Sequence, residues 1–322
     1  MPRILVTGGT GFIGSQLVKR LVADGNDVII TGKGTEQKTK IPCISYSFHD
    51  LNWNEIHPID IIFHQAAISD TTHKPEEDYH KVNVEQNQIL FNDAVNHGCK
   101  KIVYASSCAV YGDVGNYKDA YYDLVLPNEK PKFRKPFSEN DATLNTPLNA
   151  YGRSKILFDQ WAMEFGKKED VTVIGLRYSN VYGPGETHKG KSSSMIWQLI
   201  QQMTIGKPKL FKWGEQRRDF VYIDDVIEAN LLATKQKISD VFNVGSGIAS
   251  SFNSIVKTIN EELKTKHAIE YIENPYKDVY QDFTQCDLTK ANKILQYYPK
   301  YNIMKGVKEY LKKISSNALY GV

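Results

Sequence analysis

The chain has 322 residues, 41% hydrophobic and 24% charged, enough for one large α/β unit or for two domains of about 150 residues each. Forty Lys and Arg against 37 Asp and Glu leave +3, with no basic stripe of the kind a nucleic-acid reader carries, and no apolar run approaches the ~18 residues of a membrane span. The four cysteines, Cys43, Cys99, Cys108 and Cys286, are scattered without CxxC pairing or zinc spacing, so we expect reduced thiols, no metal, no nucleic-acid partner and no membrane partner.

Short β-branched runs alternate with helical patterns through the first half, the signature of βαβ units and a parallel sheet. Strands are expected at Arg3 to Thr7, Asp27 to Thr31, Ile59 to His64, Lys101 to Ala105 and Val171 to Arg177. Only Pro2 and Arg3 separate Met1 from the first apolar run, which leaves no room for a secretory segment, and a cytoplasmic protein is expected. Between the first two strands Ile13, Leu17, Val18, Leu21 and Val22 recur at helical spacing, and Gly25 stands where a helix end favours a left-handed residue. Asp113 to Asn149 is rich in Tyr, Pro and Lys and lacks periodicity, as lids and binding loops do. Further on, Phe220 to Val226 and Val241 to Val244 keep α/β character, and Ser250 to Leu263 and Met304 to Lys313 read as helices. The expected fold is a Rossmann-type doubly wound parallel sheet with a smaller mixed α/β substrate domain. We place the dinucleotide-binding domain at 1–178 and the substrate domain at 179–322, part of 218–246 returning to the first.

After the first strand, Thr7-Gly8-Gly9-Thr10-Gly11-Phe12-Ile13-Gly14 sets three glycines at the spacing of a dinucleotide turn. Gly8 turns the chain, Gly11 admits a pyrophosphate, Gly14 lets the helix pack closely, and the helix start at Phe12 and Ile13 offers free N–H groups to phosphate. NAD-binding folds place a ribose-binding carboxylate about 20 residues further on. Here that place reads Thr31-Gly32-Lys33, with Lys38 and Lys40 nearby. A neutral Thr and an ammonium accept the 2′-phosphate that a carboxylate repels, so NADP is expected, with NAD the alternative. Asp50 is a candidate for the adenine, and Ala66 and Ala67, after His64-Gln65, are small enough for close approach of the cofactor. His64 itself reads as a packed histidine.

Tyr151 and Lys155 are four apart at the start of a helix whose stripe is Leu157, Phe158, Trp161, Ala162 and Phe165. That spacing puts phenol and ammonium on one face. A phenol is a poor base at neutral pH, but a neighbouring ammonium and an oxidised nicotinamide favour the phenolate, and Lys155 can also hold the nicotinamide ribose. In Tyr104-Ala105-Ser106-Ser107-Cys108-Ala109-Val110-Tyr111-Gly112, Ser107 is at the ligand-binding end of a strand and can share the substrate oxygen with Tyr151. Cys108 reads as a small packed hydrophobe, since no His or Lys adjoins it.

Taken in order, TGGTGFIG, HQAA, SSCAVYG, YGRSK, Asn180-Val181-Tyr182-Gly183-Pro184 and Arg218-Asp219-Phe220-Val221-Tyr222-Ile223-Asp224-Asp225-Val226 resemble the extended short-chain dehydrogenase/reductases that act on nucleotide sugars. The stretches at 68–72, 188–190, 209–211 and 280–285 resemble the ADP-glycero-manno-heptose 6-epimerase branch, which holds NADP tightly. The resemblance implies an epimerase that oxidises its substrate transiently and returns the hydride to the other face. It implies Tyr151 and Lys189 as the proton donors on the two faces, with Ser107 assisting and Lys191 a neighbour that could exchange roles with Lys189. It also implies substrate contacts from Ser69, Thr71, Asn180, Tyr280 and Arg218, whose planar fork suits the diphosphate, and a cofactor contact from Asn83.

Two departures fall near the sugar: Gly185 stands where the heptose branch commonly carries Arg, and the loop 113–145 is longer. The acid–base dyad of the related dehydratases is replaced by Cys108-Ala109, which argues against dehydration. Another nucleotide-sugar 4-epimerase or a keto-reductase is the alternative, and a non-catalytic dinucleotide sensor is a third reading. Assembly into a homo-oligomer is left open.

Overall fold

The computed structural model describes residues 1–32, 41–45, 47–70, 74–112, 122–124, 132–143, 146–275 and 281–319. Its centre is a seven-stranded parallel sheet. The strands are β1 (Arg3–Thr7), β2 (Asp27–Thr31), β3 (Cys43–Ser45), β4 (Ile61–His64), β5 (Lys101–Ser107), β6 (Thr172–Tyr178) and β7 (Asp240–Val244). They lie in the order β7-β6-β5-β4-β1-β2-β3. Strand order reverses between β1 and β4, and in open α/β sheets the crevice beyond the carboxyl ends at such a reversal is where ligands bind. Ile4, Leu5 and Val6 are all nearly inaccessible, as expected of a strand covered on both faces.

One face is covered by α1 (Phe12–Ala23), where Leu17, Val18 and Leu21 are buried while Val22 is 44% exposed. Gly25, at φ +84°, ends that helix as expected. The other face is covered by α2 (Gln86–Asn96) and α3 (Ala150–Lys168), joined through the ring cluster of Phe91, Phe158, Trp161 and Phe165. Leu157, expected on the α3 stripe, is 47% exposed instead. The helical turn Glu76–His80 and a wide turn at Lys81–Glu85 lead into α2. This helical run escapes periodicity because its inward face carries Asn83 and Asn87, both buried and hydrogen-bonded.

The other long helices among the described residues are α4 (Met195–Ile205), α5 (Ile223–Ala233), α6 (Phe252–Leu263) and α7 (Ile303–Leu319). The stretch 220–226 divides: a strand, Arg217–Tyr222, stops where Asp224 and Asp225 favour the first turn of α5. That strand pairs in parallel with Asn180–Tyr182 and antiparallel with Ala249–Ser251. A second small pair joins Lys209–Phe211 to Glu270–Ile272. Within the long loop, Tyr122–Leu124 pairs antiparallel with Lys132–Arg134. The apolar core is continuous from Leu17 and Ile30 through Tyr182 and Ile227 to Ile255 and Tyr310. Among the described residues no helix is long and apolar enough to cross a membrane.

Candidate active site

Close contacts shape the glycine turn. Gly8 has φ +67°, and a Cβ there would stand 2.9 Å from the Ala66 nitrogen. A Cβ on Gly14 would reach 2.2 Å from the Gly8 carbonyl oxygen, so α1 rests directly on the turn. No side chain caps the N-terminus of α1 at Gly11, which leaves its first N–H groups for an anion. A cleft of about 750 Å³ runs from this turn past Thr31, Ala66, Ala67 and Ser69 to Ser107, Tyr151 and Lys155. Phe12 and Ile13 also line it. Ser106 lines the same cleft with a buried hydroxyl that has no partner within the protein. An uncapped helix start, glycines no side chain can replace and an unsatisfied hydroxyl together fit a pyridine dinucleotide.

At the far end of that cleft β5 ends on Ser107, whose Oγ accepts from the Ala109 amide at 3.1 Å and also bonds the Tyr151 phenol. Asn149 caps α3 by accepting from the Gly152 amide at 2.8 Å, which fixes where Tyr151 emerges. Lys155 is buried; its Nζ donates to the Ala105 carbonyl at 2.9 Å and stands 5.8 Å from the centroid of the Tyr151 ring. Burial pushes the Tyr151 phenol up to about 12, against the pull of its bond to Ser107. In the protein by itself, burial is the larger influence on the phenol. Burial likewise lowers Lys155 to about 8, with Asp159 one turn along opposing. Asp159 is held by Tyr104 and Arg177, each at 2.9 Å.

A second cavity, of about 240 Å³, opens on the other side of Ser107 and Tyr151. Asn180 and Arg218, two of the expected substrate contacts, line it together with Leu148, Asn149, Gln281 and Thr284. The two cavities share Ser107, Tyr151, Tyr178 and Ser179. Asn180 Nδ2 donates to the Asp219 carbonyl at 3.1 Å, and the buried Arg218 donates to its neighbour's carbonyl at 3.0 Å. Lys189 is half-buried on the wall of the larger cleft, its Nζ 5.6 Å from the Phe12 ring centroid. Desolvation lowers its ammonium and the Glu186 carboxylate counters.

Some expected residues stand elsewhere. Asp50 is exposed and borders neither cavity; Phe48 turns into the core against His64, and Ser47, Phe48 and His49 line the larger cleft instead. Asn83 does not reach the cleft either. Its amide accepts from Ile68 N and donates to Ile68 O and Ser154 Oγ, so it braces the cleft wall from behind. Ser69 borders the cofactor cleft rather than the smaller cavity. His64 is packed, held between Thr7 and Asn87 and kept neutral by burial, at about 3. Lys33, Thr71 and Tyr280 lie outside the described residues. Sequence reasoning missed His49, Gln86, Tyr178, Gln281 and Thr284; the last two fall in the 280–285 stretch, from which only Tyr280 was singled out.

The NAD dependent epimerase/dehydratase family matches residues 4–245. The chain is similar to ADP-L-glycero-D-manno-heptose-6-epimerase of Helicobacter pylori, at 32% identity and TM-score 0.82 over 98% of this chain and 96% of that one. It is also similar to UDP-glucose 4-epimerase of Thermotoga maritima, solved with UDP-glucose, at 27% identity and TM-score 0.81 over 98% and 99%. A third similar structure, MoeE5 in complex with UDP-glucose and NAD, is 25% identical with TM-score 0.79 over 98% and 99%.

Proposed function

The chain belongs to the NAD dependent epimerase/dehydratase family, and we propose that within it the protein inverts carbon 6 of an ADP-linked glycero-manno-heptose, using bound NADP and working in the cytoplasm. The observation that carries the epimerase reading is the meeting of a dinucleotide-sized cleft and a smaller polar cavity at Ser107 and Tyr151. A dinucleotide held along the glycine turn and against Lys155 would supply reversible hydride transfer to and from the sugar carbon. Tyr151 takes the proton of the reacting hydroxyl as the hydride leaves. Ser107, already bonded to the phenol, holds the same oxygen in line. Lys155 anchors the cofactor end of the site and steadies the phenolate by its charge. On the opposite face Lys189 supplies the second proton, with an ammonium that burial makes easier to discharge.

Arg218 and Asn180 hold the diphosphate and sugar while the side chain at carbon 6 rotates about one bond. Inversion at carbon 4 would instead require the ring to swing. Support for the heptose comes from the 32% identity to the Helicobacter enzyme against 27% for the UDP-glucose 4-epimerase. Support for NADP is Thr31-Gly32 at the end of β2, lining the cleft where a carboxylate would face the ribose. A 4-epimerase or keto-reductase is the alternative, favoured by Gly185, whose φ of +102° suits no residue with a side chain.

The test is to incubate the protein with ADP-heptose, UDP-glucose and a GDP-sugar in deuterated water and follow each by proton NMR. Inversion of the heptose alone, with no deuterium at carbon 6, supports the reading. Inversion of UDP-glucose at carbon 4, or net reduction of a keto-sugar, transfers it to the alternative.

A further inference from the structure

Immediately after Ser107, Cys108 turns inward, and its Sγ stands 3.3 Å from Sγ of Cys286, which is 178 residues away in sequence. Both are buried free cysteines. Each borders a different space: Cys108 the smaller cavity at Ser107 and Tyr151, Cys286 a separate cavity of about 490 Å³ lined also by Gln285 and Leu288. Cys286 ends the segment whose Gln281 and Thr284 line the smaller cavity. That segment is pinned by the Cys286 amide on Asp219 Oδ2 at 3.0 Å and by bonds between Gln285, Asp287 and Phe137. The two sulfurs thus connect the catalytic turn to the opposite wall of the cavity.

We propose that Cys108 and Cys286 are a reversible thiol–disulfide pair, oxidised by a peroxide, that restricts the smaller cavity when closed. Cys108, reached through that cavity, attacks the peroxide O–O bond; one oxygen stays as a sulfenic acid and the other leaves as water with the thiol proton. Cys286 then attacks the Cys108 sulfur, the S–O bond breaks, and the departing hydroxide takes the Cys286 proton as a second water. Two thiols and one peroxide give one disulfide and two waters, and a dithiol reverses the change. The bond to Cys108, then burial and the neighbouring Asp219, raise the Cys286 thiol, which suits it to be the second reactant rather than the first. Closing the sulfurs from 3.3 Å to the ~2.05 Å of a disulfide draws the two walls of the cavity together by about 1 Å in all, and misplacement on that scale costs up to about 10²-fold in rate.

The restriction of turnover rests on the epimerase reading; the cross-link does not. Treated with one equivalent of hydrogen peroxide, the chain is expected to fall from four titratable thiols to two, and digestion without reduction should give a peptide pair joined through Cys108 and Cys286. Dithiothreitol should restore both thiols and rate. Cys286→Ala, or Cys286→Ser if the smaller side chain disturbs folding, should form no such pair and, with dimedone present to capture the Cys108 sulfenic acid, should show no dithiothreitol-reversible loss. Absence of the joined peptides in the parent overturns the proposal, and an equal reversible loss in the Cys286 variant overturns the restriction. Joined peptides from a chain inactive on every nucleotide sugar would support the pair while removing the proposed function.

Discussion

Tyr151 and Lys155 are displaced in opposite directions by one cause, since burial favours the neutral form of each: the phenol rises to about 12 and the ammonium falls to about 8. In the free protein at neutral pH the phenol is therefore protonated, and Lys155 is the group that changes charge within the working range. Because kcat/KM reports the free enzyme, it is expected to fall as pH rises through about 8, and Lys155→Met should remove that limb along with most of the rate; a pH–rate series checks both. The linkage to stability has a definite sign. Between about 8 and the ordinary 10.5 the unfolded chain binds more protons at Lys155 than the folded one, so this group makes folding more favourable as pH rises there. From 10 to about 12, Tyr151 acts the other way. Tyr151→Phe should lose about 10²- to 10⁴-fold in turnover, the span of general acid–base catalysis, while mass spectrometry of the denatured variant still finds its dinucleotide. Full activity in that variant would assign the proton to another group.

The strand–turn–helix at the start of the chain works through contacts a side chain would break. Gly14→Ala places a methyl 2.2 Å from a backbone oxygen, so α1 must lift from the turn; overpacking of this kind costs about 1–3 kcal/mol. We expect a lower melting temperature and at least tenfold weaker NADP binding by calorimetry. Gly206→Ala is the control, at extended φ with no atom within 4 Å of the added methyl, and should change neither. Elements such as this one were legible because glycine spacing and strand periodicity are local. The pairing of Tyr151 with Lys155 was legible for the same reason, one helical turn. What periodicity could not find depends on partners distant in sequence. Asn83 reads as a polar residue in search of a ligand, yet Ile68 and Ser154 satisfy it. Asp50 and His49 are adjacent in sequence, and only the turn that buries Phe48 decides that His49 faces the cleft. Gln281 and Thr284 join Ser107 because bonds to Phe137 and Asp219 bring their segment there, which no pattern within 281–286 announces.

Across the whole molecule, β7 completes the central sheet from within the second half of the chain, and α1 packs beside α5 in the core that continues to Tyr310. No apolar seam divides the cofactor half from the rest among the described residues, so heating is expected to give one cooperative transition although the chain is longer than most two-state proteins. A ligand of either cavity should then raise that single transition as a unit rather than split it. One bound at a hundred times its Kd adds about 2.7 kcal/mol, and the comparison of NADP with NAD at equal concentration becomes a test of the β2 end. Thr31 is buried there and brings no charge against a 2′-phosphate, so NADP should give the larger rise in the melting temperature by differential scanning calorimetry. A nucleotide sugar should add a further rise to the loaded protein, because Ser107, Tyr151, Tyr178 and Ser179 belong to both walls. Two transitions, with only the first moved by the dinucleotide, would show that the halves fold separately despite the shared core. A larger rise with NAD would assign the cleft to NAD instead.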